Sequence, residues 1–196
     1  MVFGGDSAAR PDERSYEYLR NSVMLGIDSP SRFLIGNHDS DESTDENAPL
    51  FKEIYEENTG YEDIDDVRLL YLRSAETGIT QRDMDLLVEA LDGSYESALV
   101  FLHHGYWLAH EPEPFINSDY QGLDENYWVE NVLPLLASSK VSAVFAGDGG
   151  VRRSTVESRL CGIPHYLTGW SFNLQSRPAD FLRVFVNEKK IDVWRY

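Results

Sequence analysis

Short apolar runs and helically spaced apolar stripes alternate along this chain. The runs stand at 2–3, 33–35, 98–102 and 141–145, each bounded by turn residues, and read as buried strands. Between them apolar residues recur at the helical period: Tyr16, Leu19 and Val23 over 12–25; Leu50, Phe51, Ile54 and Tyr55 over 48–58; Met84, Leu87, Val88 and Leu91 over 81–91; Trp128, Val132, Leu135 and Leu136 over 124–138. Pro11, Asp12 and Glu13 mark the start of the first helix. Thr80 caps the third, with Asp83 standing in for the usual capping-box glutamate. Pro134 predicts a kink in the fourth. Residues 67–72 are apolar enough for a further strand, 61–66 read as an exposed acidic segment, and 106–123, with Pro112 and Pro114, read as an irregular substrate-facing loop. Beyond 150 the pattern changes to antiparallel strands near 153–159, 163–168, 180–187 and 190–195, with a hairpin turn at 187–190. Strands alternating with helices predict an α/β fold with parallel strand pairs.

The residues just past each apolar run matter more than the run itself. The first strand leads into Gly4-Gly5-Asp6, the second into Gly36-Asn37-His38-Asp39, the third into His103-His104, and the fourth into Gly147-Asp148-Gly149-Gly150. Each of these is, alone, an ordinary turn sequence. Strand ends on one edge of an α/β sheet converge, however, and that edge is where such folds bind ligands. Asp6, Asn37, His38, His103 and Asp148 are therefore predicted to meet. Carboxylate, amide and imidazole groups together suit a divalent Mn, Fe, Zn or Co ion, and so metal-assisted hydrolysis of a phosphate ester. His104 reads as a supporting or packing residue, with an exchange of roles with His103 as the alternative, His110 as a polar residue of the long loop, and His165 as a structural histidine within a strand. Tyr106, Trp107 and Trp170 are candidates for lining a pocket.

Composition narrows the partners. The 196 residues suit a single domain, 1–196, and 42% hydrophobic content supplies a core. With 34 acidic against 17 basic residues, the chain offers no basic surface for nucleic acid or an anionic membrane. A phosphate-bearing substrate stays compatible if a bound cation supplies the positive charge. No run approaches the roughly 18 apolar residues of a membrane span, and no signal-like segment opens the chain, so a cytoplasmic location is the expectation. The single cysteine, Cys161, excludes an internal disulfide and a cysteine-based zinc site. No Gly-x-Ser-x-Gly elbow supports a serine hydrolase. A strand that begins at residue 1 predicts a domain incomplete at its N-terminus.

Gly5-Asp6, Gly36-Asn37-His38-Asp39 and His103, in that order, resemble the calcineurin-like metallophosphoesterase superfamily over residues 2 to 170. The resemblance implies an αββα sandwich of two mixed sheets flanked by helices, with its first strand missing here. It implies a two-metal centre in the complete family site. Asp6 would bridge the ions, Asn37 and His103 would bind the second, His38 would stabilise the transition state or protonate the leaving oxygen, and Asp39 would orient His38. A metal-bound hydroxide would attack the phosphorus in line. Two departures stand out: the family's opening Asp-x-His has no counterpart, and its closing Gly-His-x-His is Gly147-Asp148-Gly149-Gly150. Asp148 is a competent replacement ligand and Gly150 is not, so one ion, held by Asp6, Asn37, His103 and Asp148, is expected here. The alternative is a catalytically silent phosphoesterase-fold domain used for binding or scaffolding.

Overall fold

A computed structural model describes residues 1–8, 10–40, 45, 47–74, 79–105, 127–148, 155–168, 182–187 and 190–195. Strand β1 (Val2–Phe3) pairs in parallel with β2 (Arg32–Phe33), Val2 opposite Arg32. Helix α1 (Glu13–Tyr18) joins them; its first turn is capped by Asp12, whose carboxylate accepts from the Ser15 amide at 2.8 Å. It runs on through a wide π-type turn (Leu19–Val23) and a 3-10 turn (Met24–Gly26), so the predicted helix 12–25 is present. Strand β2 is shorter and less central than its apolar run suggests. Leu34 adds one more bond to the ladder, donating to the Phe3 carbonyl at 3.0 Å, and the pair then ends at Gly4 and Gly36.

Helix α2 (Pro49–Ile54) and a 3-10 turn (Glu56–Asn58) come next. The large sheet then begins with β3 (Gly60–Ile64) and β4 (Val67–Tyr71). After α3 (Gln81–Leu91) come β5 (Ser97–His104), a π-type turn (Trp128–Val132), α4 (Leu133–Ala137), β6 (Val141–Asp148), β7 (Thr155–Leu160) and β8 (Ile163–Thr168). The order across the sheet is β3-β4-β5-β6-β8-β7, parallel from β4 to β8 and antiparallel at both edges. Strands β9 (Leu182–Asn187) and β10 (Lys190–Arg195) form a separate antiparallel hairpin. The chain is thus mixed α/β, built on a six-stranded mixed sheet with helices.

Local chemistry accounts for these elements. At α3 the capping box is complete: Asp83 N donates to Thr80 Oγ1 at 3.3 Å, and Thr80 N to Asp83 Oδ2 at 2.9 Å. Pro134 opens α4, and the widened turn before it is where the expected irregularity falls, since proline has no N–H for the carbonyl four residues back. The acidic stretch 61–66 is exposed as expected, apart from half-buried Glu62, and what the sequence did not suggest is that it forms edge strand β3 and its turn. Arg68 grips Asp63 through two bonds of 2.7 Å while lying over the rings of Tyr61 and Tyr95, and Arg32 holds Glu62 at 2.7 Å. Charged side chains on an edge strand also discourage further pairing.

The two faces of the large sheet are covered differently. Leu70, Val100, Leu102, Val144 and Leu167 pack with Leu87, Ala90, Trp128 and Leu136 of the helices. The alternate residues, Leu99, Phe101, Ala143 and Phe145, face Leu182, Val184, Ile191 and Val193 of the β9–β10 hairpin. On that face Tyr71, Phe101, Phe145 and Tyr166 stack ring on ring across four strands, with centroids 5.6, 5.2 and 5.2 Å apart. Strands β1 and β2 lie on this side too. Arg32 reaches the ring of Tyr71, while Phe3 and Phe33 stack at 4.2 Å and pack with Tyr16, Leu19, Phe51, Ile54 and Tyr55 of α1 and the α2 region. Among the described residues no helix is long and apolar enough to cross a membrane.

Candidate metal centre

Four strand ends, those of β1, β2, β5 and β6, meet because glycine lets them. Gly4 and Gly147 cross so closely that a Cβ on Gly4 would lie 2.6 Å from the Gly147 Cα, and one on Gly147 would overlap the Gly4 carbonyl. A Cβ on Gly5 would enter the His103 ring, and one on Gly36 would overlap the Asp6 carboxylate. The chain leaves β1 through Gly5 at φ 101° and Asp6 at φ 53°, a left-handed turn that glycine takes freely and aspartate tolerates. That turn aims Asp6 Oδ1 at the loop after β2, where it accepts from the His38 amide at 3.0 Å and stands 3.4 Å from His103 Nε2.

His103 and His104 end β5, the strand pairing with β6 through His104 opposite Asp148. Strand alternation sends neighbours to opposite faces. Here, past the end of β4, both backbone amides turn to Ser74 Oγ, at 2.7 and 3.2 Å. Both rings then serve one locus. His103 Nδ1 donates to the Gly4 carbonyl at 2.6 Å and His104 Nδ1 to the Ser74 carbonyl, and the Nε2 atoms stand 3.0 and 3.3 Å from one atom, Asn37 Oδ1.

The tautomers are set by those partners. A carbonyl only accepts, so each Nδ1 carries the proton, and in a neutral ring Nε2 is then the lone pair. Burial, followed by the neighbouring charge of His103, pushes His104 down to about 3, so it is neutral at physiological pH. Lone pairs of His104 Nε2 and Asn37 Oδ1 thus face each other, with Asp6 Oδ1 and His103 Nε2 beside them. Two arrangements satisfy such a set: a shared cation, or Asn37 turned half round so that its amide donates to the rings. Imidazoles pinned through the far nitrogen are how metal-binding histidines are oriented, and one carboxylate, one amide oxygen and two imidazoles fit a divalent first-row ion.

Not every predicted residue joins the set. Among the described residues no group of three or more His, Cys, Asp and Glu is spaced to hold an ion, so this set depends on the amide of Asn37. His38 is exposed and enters through its backbone amide, with its ring close enough for its charge to bear on His104. Asp148 stands opposite His104 in the ladder; its side chain lies outside the described residues, as do Tyr106, Trp107, His110, Gly149, Gly150 and Trp170. Asp39 corrects the expectation that it orients His38. It is fully buried, and its carboxylate accepts from Ala8 N at 2.7 Å, Gly36 N at 2.8 Å and Tyr55 Oη at 2.8 Å. Burial raises its pKa, against the pull of those bonds. His165 sits in the core, Nδ1 donating to the Ile163 carbonyl at 2.9 Å and its ring edge-on to Trp128. Sequence reasoning undervalued His104 and missed Ser74 and Tyr55; the His-His doublet was the one visible signal.

No protein-family model matches the chain, and no curated protein matches it.

Proposed function

We propose that this chain is a calcineurin-like metallophosphoesterase domain that hydrolyses phosphate esters with the help of a divalent metal ion. One observation carries the reading: Asp6 Oδ1, Asn37 Oδ1, His103 Nε2 and His104 Nε2, from three strand ends, stand together. The layering supports the αββα sandwich: α3 and α4, the six-stranded sheet, the small sheets β1–β2 and β9–β10, then α1 and α2. An ion bound at this cluster would supply the positive charge that draws and polarises a phosphoryl group, which a chain of net charge −17 otherwise lacks.

The chain's own residues then have distinct tasks. Asp6, Asn37 and His103 hold the ion, with His104 completing the set and Ser74 keeping the doublet in place. His38, exposed beside the cluster, offers a proton to the leaving oxygen. Substrate is a phosphate ester, with monoester and diester hydrolysis both within reach of this chemistry. A second reading, the silent phosphoesterase-fold domain, draws on Gly150, which has no side chain to ligate where the family has histidine, and on the set's dependence on Asn37.

Hydrolysis of an aryl phosphate by the purified chain, before and after exhaustive chelation, separates the two. The enzyme reading expects turnover that disappears with the chelator and returns with Mn(II). An ion bound without turnover supports the silent domain, and turnover indifferent to chelation overturns the metal mechanism.

A further inference from the structure

The Asp39 carboxylate lies fully buried, and among the described residues it meets no cation. A buried carboxylate is costly unless its hydrogen bonds are complete. Its three donors come from three segments. Ala8 lies two residues beyond Asp6, Gly36 immediately precedes Asn37, and Tyr55 sits at the C-terminal end of α2. The carboxylate therefore bridges the two loops that carry Asp6 and Asn37, and the Tyr55 hydroxyl is the side-chain group that holds it.

We infer that Tyr55 is a positioning residue for the proposed metal centre, setting the separation of the Asp6 and Asn37 loops through Asp39. The inference rests on the metal reading above. The Tyr55 ring is wedged against Phe51 at 5.3 Å and Tyr16 at 6.0 Å, so its hydroxyl has a fixed bearing. Tyr16 supplies an internal contrast. It is as buried as Tyr55, but its hydroxyl bonds the Asp39 main-chain carbonyl, at 2.6 Å. Loss of either hydroxyl disturbs the same core; loss of the Tyr55 hydroxyl alone loosens the carboxylate that joins the loops.

The test is titration of the full chain with Mn(II), monitoring free ion by electron paramagnetic resonance, for the wild type, Tyr55→Phe, Tyr16→Phe and His103→Ala, with a melting curve for each. Tyr55→Phe is expected to weaken ion binding about tenfold, the usual effect of losing an outer hydrogen bond to a metal site. Tyr16→Phe is expected to bind as wild type does, though it also melts earlier. Equal weakening in both tyrosine variants, or none in either, overturns the positioning role while leaving the metal reading intact, provided His103→Ala abolishes binding. Wild-type binding that is absent, or indifferent to His103→Ala, overturns the metal reading and the positioning role with it. A second measurement needs no variant: amide exchange of Ala8 and Gly36 in the wild type should slow when Zn(II) is added. Exchange unchanged by a bound ion also overturns the inference.

Discussion

His103 and His104 at the end of β5, and His165 in the middle of β8, are 1%, 6% and 0% exposed. Each gives Nδ1 to a main-chain carbonyl: Gly4, Ser74 and Ile163 in turn. Burial lowers the pKa of both His104 and His165. By residue type, burial and tautomer, these two belong together. The difference lies in where the far edge of the ring points. The β5 pair share Asn37 Oδ1, an acceptor from a different strand end, whereas His165, fully buried beside Val144 in the ladder, has its ring edge-on to Trp128. A buried, anchored imidazole is thus a common structural device, and convergence of several on one acceptor is what marks a candidate site.

The largest effect should come from the backbone crossing that makes convergence possible. Gly147→Ala would place a Cβ on the Gly4 carbonyl, backbone against backbone, with no side chain to give way. We expect a loss of about 3 kcal/mol or more in denaturant unfolding, the upper range for overpacking. Gly26→Ala is the control: nothing lies within 4 Å of its Cβ position, and it should unfold close to wild type. Equal midpoints for the two would remove the crossing as a cause of the site.

Next come the histidines themselves. His103→Ala should reduce Mn(II) affinity about a hundredfold or more, since even outer groups of a metal site cost 10–100-fold. His165→Leu should leave that affinity unchanged and cost about 1–2 kcal/mol of stability. A shared loss of affinity would erase the distinction between the two regions. Ser74→Ala is smaller and sharper. It takes the acceptor from two buried amides, those of His103 and His104, at a cost of about 1–3 kcal/mol. Its ion affinity should fall as well, whereas a mutant that is only less stable would show that the doublet orients itself.

How much of this was legible depended on sequence distance. Helix α3 was, because the Thr80–Asp83 box is local, and so were β5 and β6, because an unbroken apolar run needs no partner to be recognised. Strand β3 was hidden by its acids, whose partners Arg32 and Arg68 are known only once the sheet is formed. The meeting of Asp6, Asn37 and His103 could be anticipated from strand ends on one edge. The place of His104 could not, because alternation along a strand sends it away from His103 and only Ser74, 30 residues earlier, brings it back. Asp39 was misjudged for the same reason: of its three donors only Gly36 is local, while Ala8 lies 31 residues before it and Tyr55 16 after.

The smallest effect is the pH dependence of stability attached to His165, and it isolates the structural histidine from the candidate site. Burial lowers the folded-state pKa of His165 below its ordinary value of about 6.5. As pH falls through that value, the unfolded chain takes up a proton that the folded chain refuses. The unfolded state then binds more protons, so stability must rise with pH in that range. The contribution is complete above the ordinary histidine pKa and is lost as the solution becomes more acidic. His165→Leu should therefore flatten the acid side of the stability curve, measured by urea midpoints in steps below neutrality. The flattening should be the same with and without Mn(II), because His165 pairs with Val144 in mid-sheet, whereas His104 pairs with Asp148 at the strand end. If added ion changes it, His165 is coupled to the strand-end cluster, and the two kinds of buried histidine are not separate.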